Sequence, residues 1–381
     1  MIAGSERFLV VKLADLGDAL TATPALRVLR STFPTARIDA LVTSIGASAL
    51  SGLDSVDRLH SLDKSKYDRR LFRIGPLWDA LRLGLCLRRK RYDRVFLFHH
   101  LFTGAGRLKY AALLTAIGAP WRGGLAEERP WFLTDVASDR GYGIRHESEY
   151  WLDVVGLVGA RPNLAPRLEI AIDDAARRRA SELVGGWPVA GRPRVALFPG
   201  SGTYSPGRRW SETGYAKVGR RLTELEGAEI LIVGTAAERA LAERVRATIG
   251  PSARNLAGES DLKTLAALLA TCALVIGNDG GVLHVAVAAG APVLAIFGPS
   301  NQVSWGPYQG DEWDLPGIRA SPAVVVRRDL PCSPCLYRGF LPGTPRGCES
   351  HDCLTLIEPD EVVALARQLL TTGPTLPRQI T

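Results

Sequence analysis

Three short segments of the 381-residue sequence combine glycine, small hydroxyl residues and charged side chains in patterns that suit anion binding or proton transfer. In the first, residues 198–210, an apolar run is followed by Ser201, Gly202 and the basic pair Arg208-Arg209. Accessible backbone amides and a guanidinium together form a receptor for phosphate oxygens. Such Gly/Ser/Pro clusters are also common in plain surface turns. The position directly after an apolar strand favours a phosphate site.

The second segment, residues 274–286, is predicted to be a buried strand followed by a helix that begins near Gly280-Gly281. Two glycines at a helix N-terminus expose free N–H groups and the positive end of the helix dipole, which suits a diphosphate. Asp279 either caps this helix or accepts a hydrogen bond from a ribose or sugar hydroxyl. His284, one turn into the helix, is either a packed structural residue or a group that takes part in the chemistry.

The third segment is Asp15-Leu16-Gly17-Asp18, near the start of the chain. A carboxylate at the start of a helix is commonly a cap. An aspartate here would also point into a cleft between two domains, opposite the phosphate-binding segments. A general base must lie there to take a proton from an acceptor hydroxyl, and Asp18 is the candidate.

The segments that carry these residues alternate between strand and helix patterns. Strands are predicted at residues 8–13, 37–42 and 94–99 in the first half, and at 194–198, 229–233, 273–276 and 293–297 in the second. Helices lie between them, one at 77–89 and one that Ser211 caps. Pro24 either lies in the first turn of a helix behind Thr23 or kinks a helix that starts near Asp18. This alternation predicts α/β domains with parallel, doubly wound sheets.

The glycine- and proline-rich residues 185–193 predict a linker between two such domains. We expect an N-terminal, acceptor-binding Rossmann-like domain over residues 1–185 and a C-terminal, donor-binding Rossmann-like domain over 192–358. A C-terminal helix and tail follow at 359–381. Ligands of such sheets bind at the carboxyl ends of the strands, where the three segments fall.

Composition and charge limit the remaining possibilities. The chain is 46% hydrophobic and 23% charged, with a mean hydropathy of +0.04, and no apolar run is long enough to span a membrane. The N-terminus shows no signal-peptide pattern, so we expect a cytoplasmic protein. The net charge is +8. Residues 58–122 carry 15 Lys/Arg against 4 Asp/Glu, a balance of +11, which leaves −3 for the rest.

The basic segment has two interpretations. It is either a solvated arginine-rich surface or a face for an acidic partner such as nucleic acid, anionic lipid or a phosphorylated acceptor. Our hypothesis is a contact with a phosphorylated glycolipid acceptor or with the anionic surface of the inner membrane. It assigns this contact to Arg69, Arg70, Arg73, Arg88, Arg89, Lys90 and Arg91.

Four of the six cysteines form a cluster with His351 close by, spaced as Cys332-x2-Cys335-x12-Cys348-x4-Cys353. The spacing permits a structural zinc site. Reduced thiols or an opportunistic disulfide are the alternatives, although a cytoplasmic location argues against a stable disulfide. Cys86 and Cys272 are predicted to fill hydrophobic cores.

In these segments the sequence resembles glycosyltransferase family 9, the heptosyltransferases of lipopolysaccharide core assembly. Residues 8–20 resemble the opening strand of the family and its Gly-Asp turn, and Pro24-Ala25-Leu26 and Phe33-Pro34 follow as usual. Residues 200–210 resemble the donor-phosphate loop. Asn278-Asp279-Gly280-Gly281-Val282-Leu283-His284 resembles the Asp-Thr/Ser-Gly-x-x-His signature, and residues 292–299 resemble its continuation.

The resemblance implies a GT-B fold, a nucleotide-sugar donor and inversion at the anomeric carbon without a metal or other cofactor. It places Asp18 at the catalytic base and Arg208, where lysine is usual, at a cation that contacts the donor phosphates. Glu238 falls near an acidic residue that binds the donor ribose. Gly280 replaces the common Thr or Ser. The default donor and acceptor are ADP-heptose and the lipopolysaccharide core. The donor-binding helix start includes Asp279, Gly280, Gly281 and His284.

Two other functions remain alternatives. A nucleotide-sugar 2-epimerase would use the same fold, but it needs further acid/base groups, and no second carboxylate–histidine cluster can be placed from the sequence. A basic α/β module that binds nucleic acid would explain the positive segment. Aromatic residues interleaved with those basic residues are few, and no nucleic-acid-binding motif is recognised, so we expect no nucleic acid.

Overall fold

The computed structural model describes residues 6–62, 75–185, 191–202, 205–310, 322–336, 346–372 and 379–380. The contacts between Cα atoms divide the chain into two compact units, and the second unit begins at Ile172. We call them the N-terminal and the C-terminal unit.

The N-terminal unit is a parallel sheet with helices between its strands. The strands are β1 (Arg7–Lys12), β2 (Arg37–Thr43), β3 (Arg58–Leu62), β4 (Arg94–Leu97), β5 (Trp121–Ala126) and β6 (Asp135–Ser138). The helices are α1 (Leu16–Thr21), α2 (Thr23–Thr32), α3 (Ser44–Leu50), α4 (Gly75–Arg88), α5 (Gly104–Ile117) and α6 (Glu147–Gly156). Among the described residues the strand order is β3-β2-β1-β4-β5-β6, with every pairing parallel.

The C-terminal unit repeats this architecture. Its strands are β7 (Arg194–Phe198), β8 (Glu229–Ile232), β9 (Ala253–Asn255), β10 (Leu274–Asn278), β11 (Val293–Ile296), β12 (Ala323–Val326) and β13 (Gln379–Ile380). Its helices are α7 (Asp174–Val184), α8 (Glu212–Glu226), α9 (Arg239–Ile249), α10 (Leu262–Leu269), α11 (Gly281–Ala288), α12 (Gln302–Trp305), α13 (Asp352–Thr355) and α14 (Pro359–Thr372). The described strands form one parallel sheet in the order β13-β12-β11-β10-β7-β8-β9.

The central strands of both sheets are buried on both faces. All five residues of β7 and of β10 are buried, as are the last five of β1. A strand covered by helices on both faces consists of continuous apolar residues, which is why these runs are recognisable in the sequence. The predicted doubly wound α/β class is therefore confirmed in each unit.

Two local expectations are resolved by the structure. The first helical region is interrupted at Ala22, and Pro24 lies in the first turn of α2, where its missing N–H removes no helical hydrogen bond. Ser211 caps α8 as expected, because its side chain accepts a hydrogen bond from the Gly214 amide.

The domain boundaries differ from the expected ones. The N-terminal unit ends near residue 171 instead of 185, because α7 packs against α10 in the C-terminal unit. In the same unit, Arg254 donates to the Val184 carbonyl oxygen at the end of α7. Helix α14 belongs to the C-terminal unit as well, where it packs on α8. At the end of the chain, β13 adds a short strand to the edge of the second sheet.

Across the part of the chain that the structure describes, no helix combines the length and the apolar character needed to cross a membrane.

Candidate active site

The N-terminal unit holds Asp18 against a buried lysine. Lys12 is the last residue of β1 and is 2% exposed, whereas the side chain of Asp18, in the first turn of α1, is 21% exposed. Their charged atoms, Lys12 Nζ and Asp18 Oδ1, are 3.7 Å apart. The Asp18 carboxylate thus has a buried cation as its neighbour. Asp15, the N-cap residue of α1, makes no side-chain capping bond.

Trp151 supports this pair from helix α6. Lys12 Nζ lies 4.0 Å from the centre of the Trp151 ring, which gives the buried ammonium a cation–π contact. The indole Nε1 donates to Thr21 Oγ1 at 3.2 Å, and that hydroxyl donates to the Asp18 carbonyl oxygen at 2.8 Å. The ring of Phe98 stacks on the Trp151 side chain at a centroid distance of 5.5 Å. Trp151 therefore fixes both Lys12 and the helix that carries Asp18.

A carboxylate–histidine cluster lies next to Trp151. His100 Nδ1 is 2.8 Å from Asp139 Oδ2, and His100 Nε2 is 3.3 Å from Glu147 Oε1. Burial disfavours the charged imidazole, but the hydrogen bonds to the two carboxylates outweigh burial and raise the pKa of His100. This cluster is not recognisable in the sequence, because its members lie in three separate segments of the chain. His100 and Glu147 are buried, so the cluster holds a charge inside the unit.

In the C-terminal unit, the loop after β7 is organised by a carboxylate. The amides of Ser201 and Gly202 both donate to Glu238 Oε1 at 2.9 Å. Glu238 Oε2 accepts from the amide and the hydroxyl of Thr235 at 3.0 and 2.9 Å. A Cβ at Gly200 would lie 2.1 Å from Glu238 Oε1, so this close approach requires glycine. Glu238 thus joins two loops that follow neighbouring strands.

Arg208 connects the same loop to the segment after β10. Its Nη1 donates to Asp279 Oδ2 at 3.1 Å, and its Nη2 donates to the Ser201 carbonyl oxygen at 3.1 Å. The side chain of Arg208 is 11% exposed and that of Asp279 is 6% exposed. Residues predicted from separate sequence motifs are therefore brought together around one guanidinium.

Two residues without a predicted role hold this loop in place. Asn278 Nδ2 donates to the carbonyl oxygens of Pro199 and Gly200, each at 2.9 Å, and its Oδ1 accepts from the Trp210 amide at 2.9 Å. Arg209 Nε donates to Ser201 Oγ at 3.1 Å. An asparagine directly after a buried strand was the available signal for the first of these contacts.

Helix α11 begins at Gly281, with Gly280 as an N-cap residue that makes no side-chain cap. Asp279 therefore does not cap this helix; it pairs with Arg208 instead. The absence of a side chain at Gly280 also has a packing reason, since a Cβ there would lie 3.1 Å from the ring of Phe198. The first amides of α11 are consequently not covered by a capping side chain.

His284 lies within the first turn and a half of α11 and is 3% exposed. Burial lowers its pKa; Asp279 acts in the opposite direction, and Arg208 lowers it further. The imidazole is therefore neutral at physiological pH. Among the described residues its buried Nδ1 has no hydrogen-bond partner, so one polar atom of the ring is left unsatisfied.

The cysteine cluster is not arranged as a metal site. The part of the chain that the structure describes contains no group of three or more His, Cys, Asp or Glu side chains that could hold a metal ion, so the structural zinc is not supported. All six cysteines are free thiols. Burial, and then the nearby thiols of the cluster, raise the pKa of Cys353 to about 11. Cys272 is buried as expected, whereas Cys86 is exposed, because it lies on the outer face of α4.

Of the seven basic residues assigned to a contact with the acceptor or the membrane, the structure describes four. Arg69, Arg70 and Arg73 lie outside the described residues. The other four, Arg88 to Arg91, lie at the end of α4 and just after it. Three of their side chains are exposed and Lys90 is half-buried, so this turn presents a positive surface.

Two parallel, doubly wound α/β units define the GT-B class, and in the second unit Arg208, Asp279 and the start of α11 lie at the carboxyl ends of the strands. The sequence model of Glycosyltransferase family 9 (heptosyltransferase) matches residues 80–334, more than half of the chain. The chain belongs to this family and is a glycosyltransferase.

Named relatives and solved structures agree with this assignment. Lipopolysaccharide heptosyltransferase 2 of Escherichia coli K12 is 26% identical over 77% of this chain and 83% of its own length. Lipooligosaccharide heptosyltransferase 2 of Haemophilus ducreyi is 24% identical over 96% and 99%. The crystal structure of the glycosyl transferase family 9 from Veillonella parvula superposes with a TM-score of 0.75 at 23% identity, covering 97% of this chain and 98% of that one.

Proposed function

We propose that this glycosyltransferase moves a heptose-like sugar from a nucleotide-diphosphate donor to the lipopolysaccharide core or a related anionic glycan or glycolipid. The observation that carries the proposal is the buried Arg208–Asp279 pair at the start of α11, inside a family-9 chain. Relatives named lipopolysaccharide heptosyltransferase support the sugar and the acceptor class. The expected donor is ADP-heptose or a similar nucleotide sugar, bound by the C-terminal unit, while the N-terminal unit binds the acceptor.

On the donor side, the chain supplies positive charge where the leaving diphosphate develops negative charge. Arg208 is held by Asp279 and by the Ser201 carbonyl oxygen, so its guanidinium is oriented before the donor binds. The amides of Gly280 and Gly281 add the positive end of the α11 dipole. Such preorganised groups stabilise a departing diphosphate without a metal ion. His284 offers a neutral imidazole for a hydrogen bond to the donor.

Glu238 has a defined position in this proposal. Each of its oxygens already accepts two hydrogen bonds, from Ser201 and Gly202 and from Thr235. A ribose hydroxyl that donates to Glu238 must therefore share or replace one of these bonds. If the ribose hydroxyl replaced the Ser201 or Gly202 amide as a hydrogen-bond donor to Glu238, that amide could donate to a phosphate of the bound nucleotide sugar instead. Ribose binding and phosphate binding would then be coupled through one carboxylate.

On the acceptor side, Asp18 acts as the general base. It takes the proton from the attacking hydroxyl while the bond to the diphosphate breaks through an oxocarbenium-like state. A single displacement of this kind inverts the anomeric carbon. Lys12, itself held by Trp151, fixes the position of the carboxylate.

The exposed turn at Arg88, Arg89, Lys90 and Arg91 is proposed to meet the phosphorylated acceptor or the anionic face of the inner membrane, at which the enzyme would act peripherally from the cytoplasm. Vesicles that contain anionic lipid should retain the wild-type protein at low ionic strength, and retention should fall when these four residues are replaced by glutamine. Equal retention of both proteins would contradict the membrane contact.

The test of the main proposal is a donor screen followed by a transfer assay. A nucleotide sugar at ~100 times its Kd adds about 2.7 kcal/mol of stability, so thermal unfolding in the presence of ADP-, UDP- and GDP-sugars identifies the donor. Incubation with the stabilising donor, with and without lipopolysaccharide-core acceptor, then separates transfer from epimerisation, because an epimerase needs no acceptor. Conversion of the donor alone, or no stabilisation by any nucleotide sugar, would contradict the proposal.

A further inference from the structure

A cavity of about 510 Å³ opens in the C-terminal unit and is lined by none of the residues proposed above for the donor. Its walls are the first turns of α8, the start of α14, and residues of the segment 346–357 that precedes α14. This volume lies within the range of pockets that bind small molecules. Arg209, the neighbour of Arg208, forms part of the wall.

The charges in the wall are mainly positive. Three cationic side chains line the cavity, those of Arg209, Lys217 and Arg346, together with one carboxylate, that of Glu358. Arg209 lies 3.6 Å from Glu238, but within the described part of the chain neither Lys217 nor Arg346 forms an ion pair. Most other described arginines of this unit have a carboxylate partner. With Arg209 next to Glu238, Lys217 and Arg346 outnumber the single carboxylate of Glu358, so the wall keeps a net positive charge that attracts an anion.

Two helices also direct their N-termini to the cavity. The 15-residue α8 contributes Ser211, Thr213 and Gly214, and the 14-residue α14 contributes Glu358 and Pro359. The positive ends of both dipoles therefore add to the side-chain charges.

None of the three acidic residues in the first turns of these helices, Glu212, Asp360 and Glu361, lines the cavity, and two of them have partners of their own. Glu212 of α8 forms a two-bond ion pair with Arg244 at 2.7 Å, and Glu361 of α14 pairs with Arg328. Neither carboxylate lines the cavity. They therefore do not neutralise the cations that do.

Part of the remaining wall is apolar and built on a fixed backbone, while Ser211, Thr213, His351 and Thr355 add polar groups. Trp210, Leu354 and Ile357 are buried side chains that line the cavity. The backbone of Arg346 and Gly347 packs closely on Gly207, because a Cβ added at Gly207 would lie 2.4 Å from the Gly347 nitrogen. The wall is thus formed before any ligand arrives, and it offers an apolar surface beside the positive groups.

We propose that this cavity is a second ligand site, which binds a small soluble organic phosphate such as a sugar phosphate. The phosphate would be held by Lys217, Arg346 and the two helix N-termini, and the organic part would pack on Trp210, Leu354 and Ile357. The site does not depend on the identity of the sugar donor or on the catalytic role of Asp18.

The experiment is a calorimetric titration of the full chain with glucose 6-phosphate and, separately, with inorganic phosphate at low ionic strength. Glucose 6-phosphate should bind more tightly than inorganic phosphate, because only the former has an organic part. The double variant Lys217→Gln/Arg346→Gln should weaken its binding by about tenfold or more. Arg221→Gln is the matched control, since Arg221 is an exposed arginine on α8 that pairs with Glu224 and does not line the cavity.

The control should bind glucose 6-phosphate as the wild type does, and so should Arg208→Gln. Thermal unfolding of each variant shows whether the fold is kept, which we expect because Lys217 and Arg346 are exposed. Undetectable binding by the wild type, or equal affinity in the double variant, would overturn the proposal. A loss seen only in Arg208→Gln would place the phosphate at the donor loop instead. Vesicles of phosphatidylglycerol that bind through Lys217 and Arg346, while free glucose 6-phosphate does not bind, would assign the site to a lipid headgroup and overturn the proposal as well.

Discussion

The two units place similar groups after their parallel strands, with opposite consequences. Each has an aspartate beside a cation and one buried histidine: Asp18 with Lys12 and His100, and Asp279 with Arg208 and His284. Asp18 is 21% exposed and its ion pair spans 3.7 Å, whereas Asp279 is 6% exposed and accepts a hydrogen bond from Arg208 at 3.1 Å. His100 is held between two carboxylates, whereas His284 has a neighbouring guanidinium.

The difference separates two kinds of chemistry. A carboxylate that exchanges a proton must remain reachable, and Asp18 is the more exposed of the two. A group that receives a phosphate must carry fixed positive charge in a dry environment, which is the role proposed for Arg208 beside His284. Under the proposed function, proton transfer falls to the N-terminal unit and anion binding to the C-terminal unit. Variants that remove one charged group at a time test this division.

Replacing Asp18 should have the largest effect. Asp18→Asn keeps the shape of the side chain but removes the base, so kcat should fall by ~10²–10⁴-fold while donor affinity stays nearly unchanged. Rate measurements at saturating donor, together with donor titrations, separate these quantities. Asp15→Asn is the matched control, because Asp15 is an exposed carboxylate three residues away whose side chain makes no cap. Near-normal turnover in Asp18→Asn would remove this residue from the role.

Replacing Arg208 should affect the other unit. Arg208→Gln removes the charge that faces the donor phosphates and leaves Asp279 buried without its cation, so donor affinity should fall by about 10–100-fold. The stability of the protein should fall too, because breaking a buried ion pair leaves an uncompensated charge. Donor titration and urea unfolding measure the two effects. The double variant Arg208→Gln/Asp279→Asn should recover stability but not donor binding. Recovery of both would mean that Arg208 only supports the fold.

Replacing Lys12 should reduce turnover to a smaller degree. Lys12→Met keeps most of the apolar contact with Trp151 but removes the cation that holds the Asp18 carboxylate in position, so kcat should fall about tenfold. The KM for the donor should stay unchanged, because the donor is proposed to bind the C-terminal unit. Steady-state kinetics together with thermal unfolding distinguish this positioning role from a general loss of structure. An unchanged kcat, or a loss explained entirely by unfolded protein, would contradict it.

The sequence predicted the elements of both sheets because their central strands are buried runs of apolar residues. It also predicted which loops carry Asp18, Arg208 and Asp279. It did not predict their partners, since a contact such as Lys12 with Trp151 joins residues far apart in the chain. The His100 cluster was missed for the same reason. The first domain boundary was expected at the glycines and prolines near residue 185, whereas the packing of α7 against α10 places it near residue 171.

The two buried histidines predict opposite pH dependences of stability. The pKa of His100 is raised, so its contribution to stability is present below the unfolded value of about 6.5 and is lost as the pH rises through the folded value. The pKa of His284 is lowered, so its contribution is present above about 6.5 and is lost as the pH falls through the folded value. The causes differ: at His100 the two carboxylates outweigh burial, whereas at His284 burial has the largest effect and, with Arg208, outweighs Asp279.

Urea unfolding of His100→Gln and His284→Gln across the acidic to mildly alkaline range measures this contrast against the wild type. The destabilisation by His100→Gln should be greatest at acidic pH and should diminish toward alkaline pH by an amount on the order of 1 kcal/mol. The destabilisation by His284→Gln should change in the opposite direction. Slopes of the same sign would show that the two histidines do not differ in charge, and the division between a proton-transferring unit and an anion-binding unit would lose its electrostatic basis.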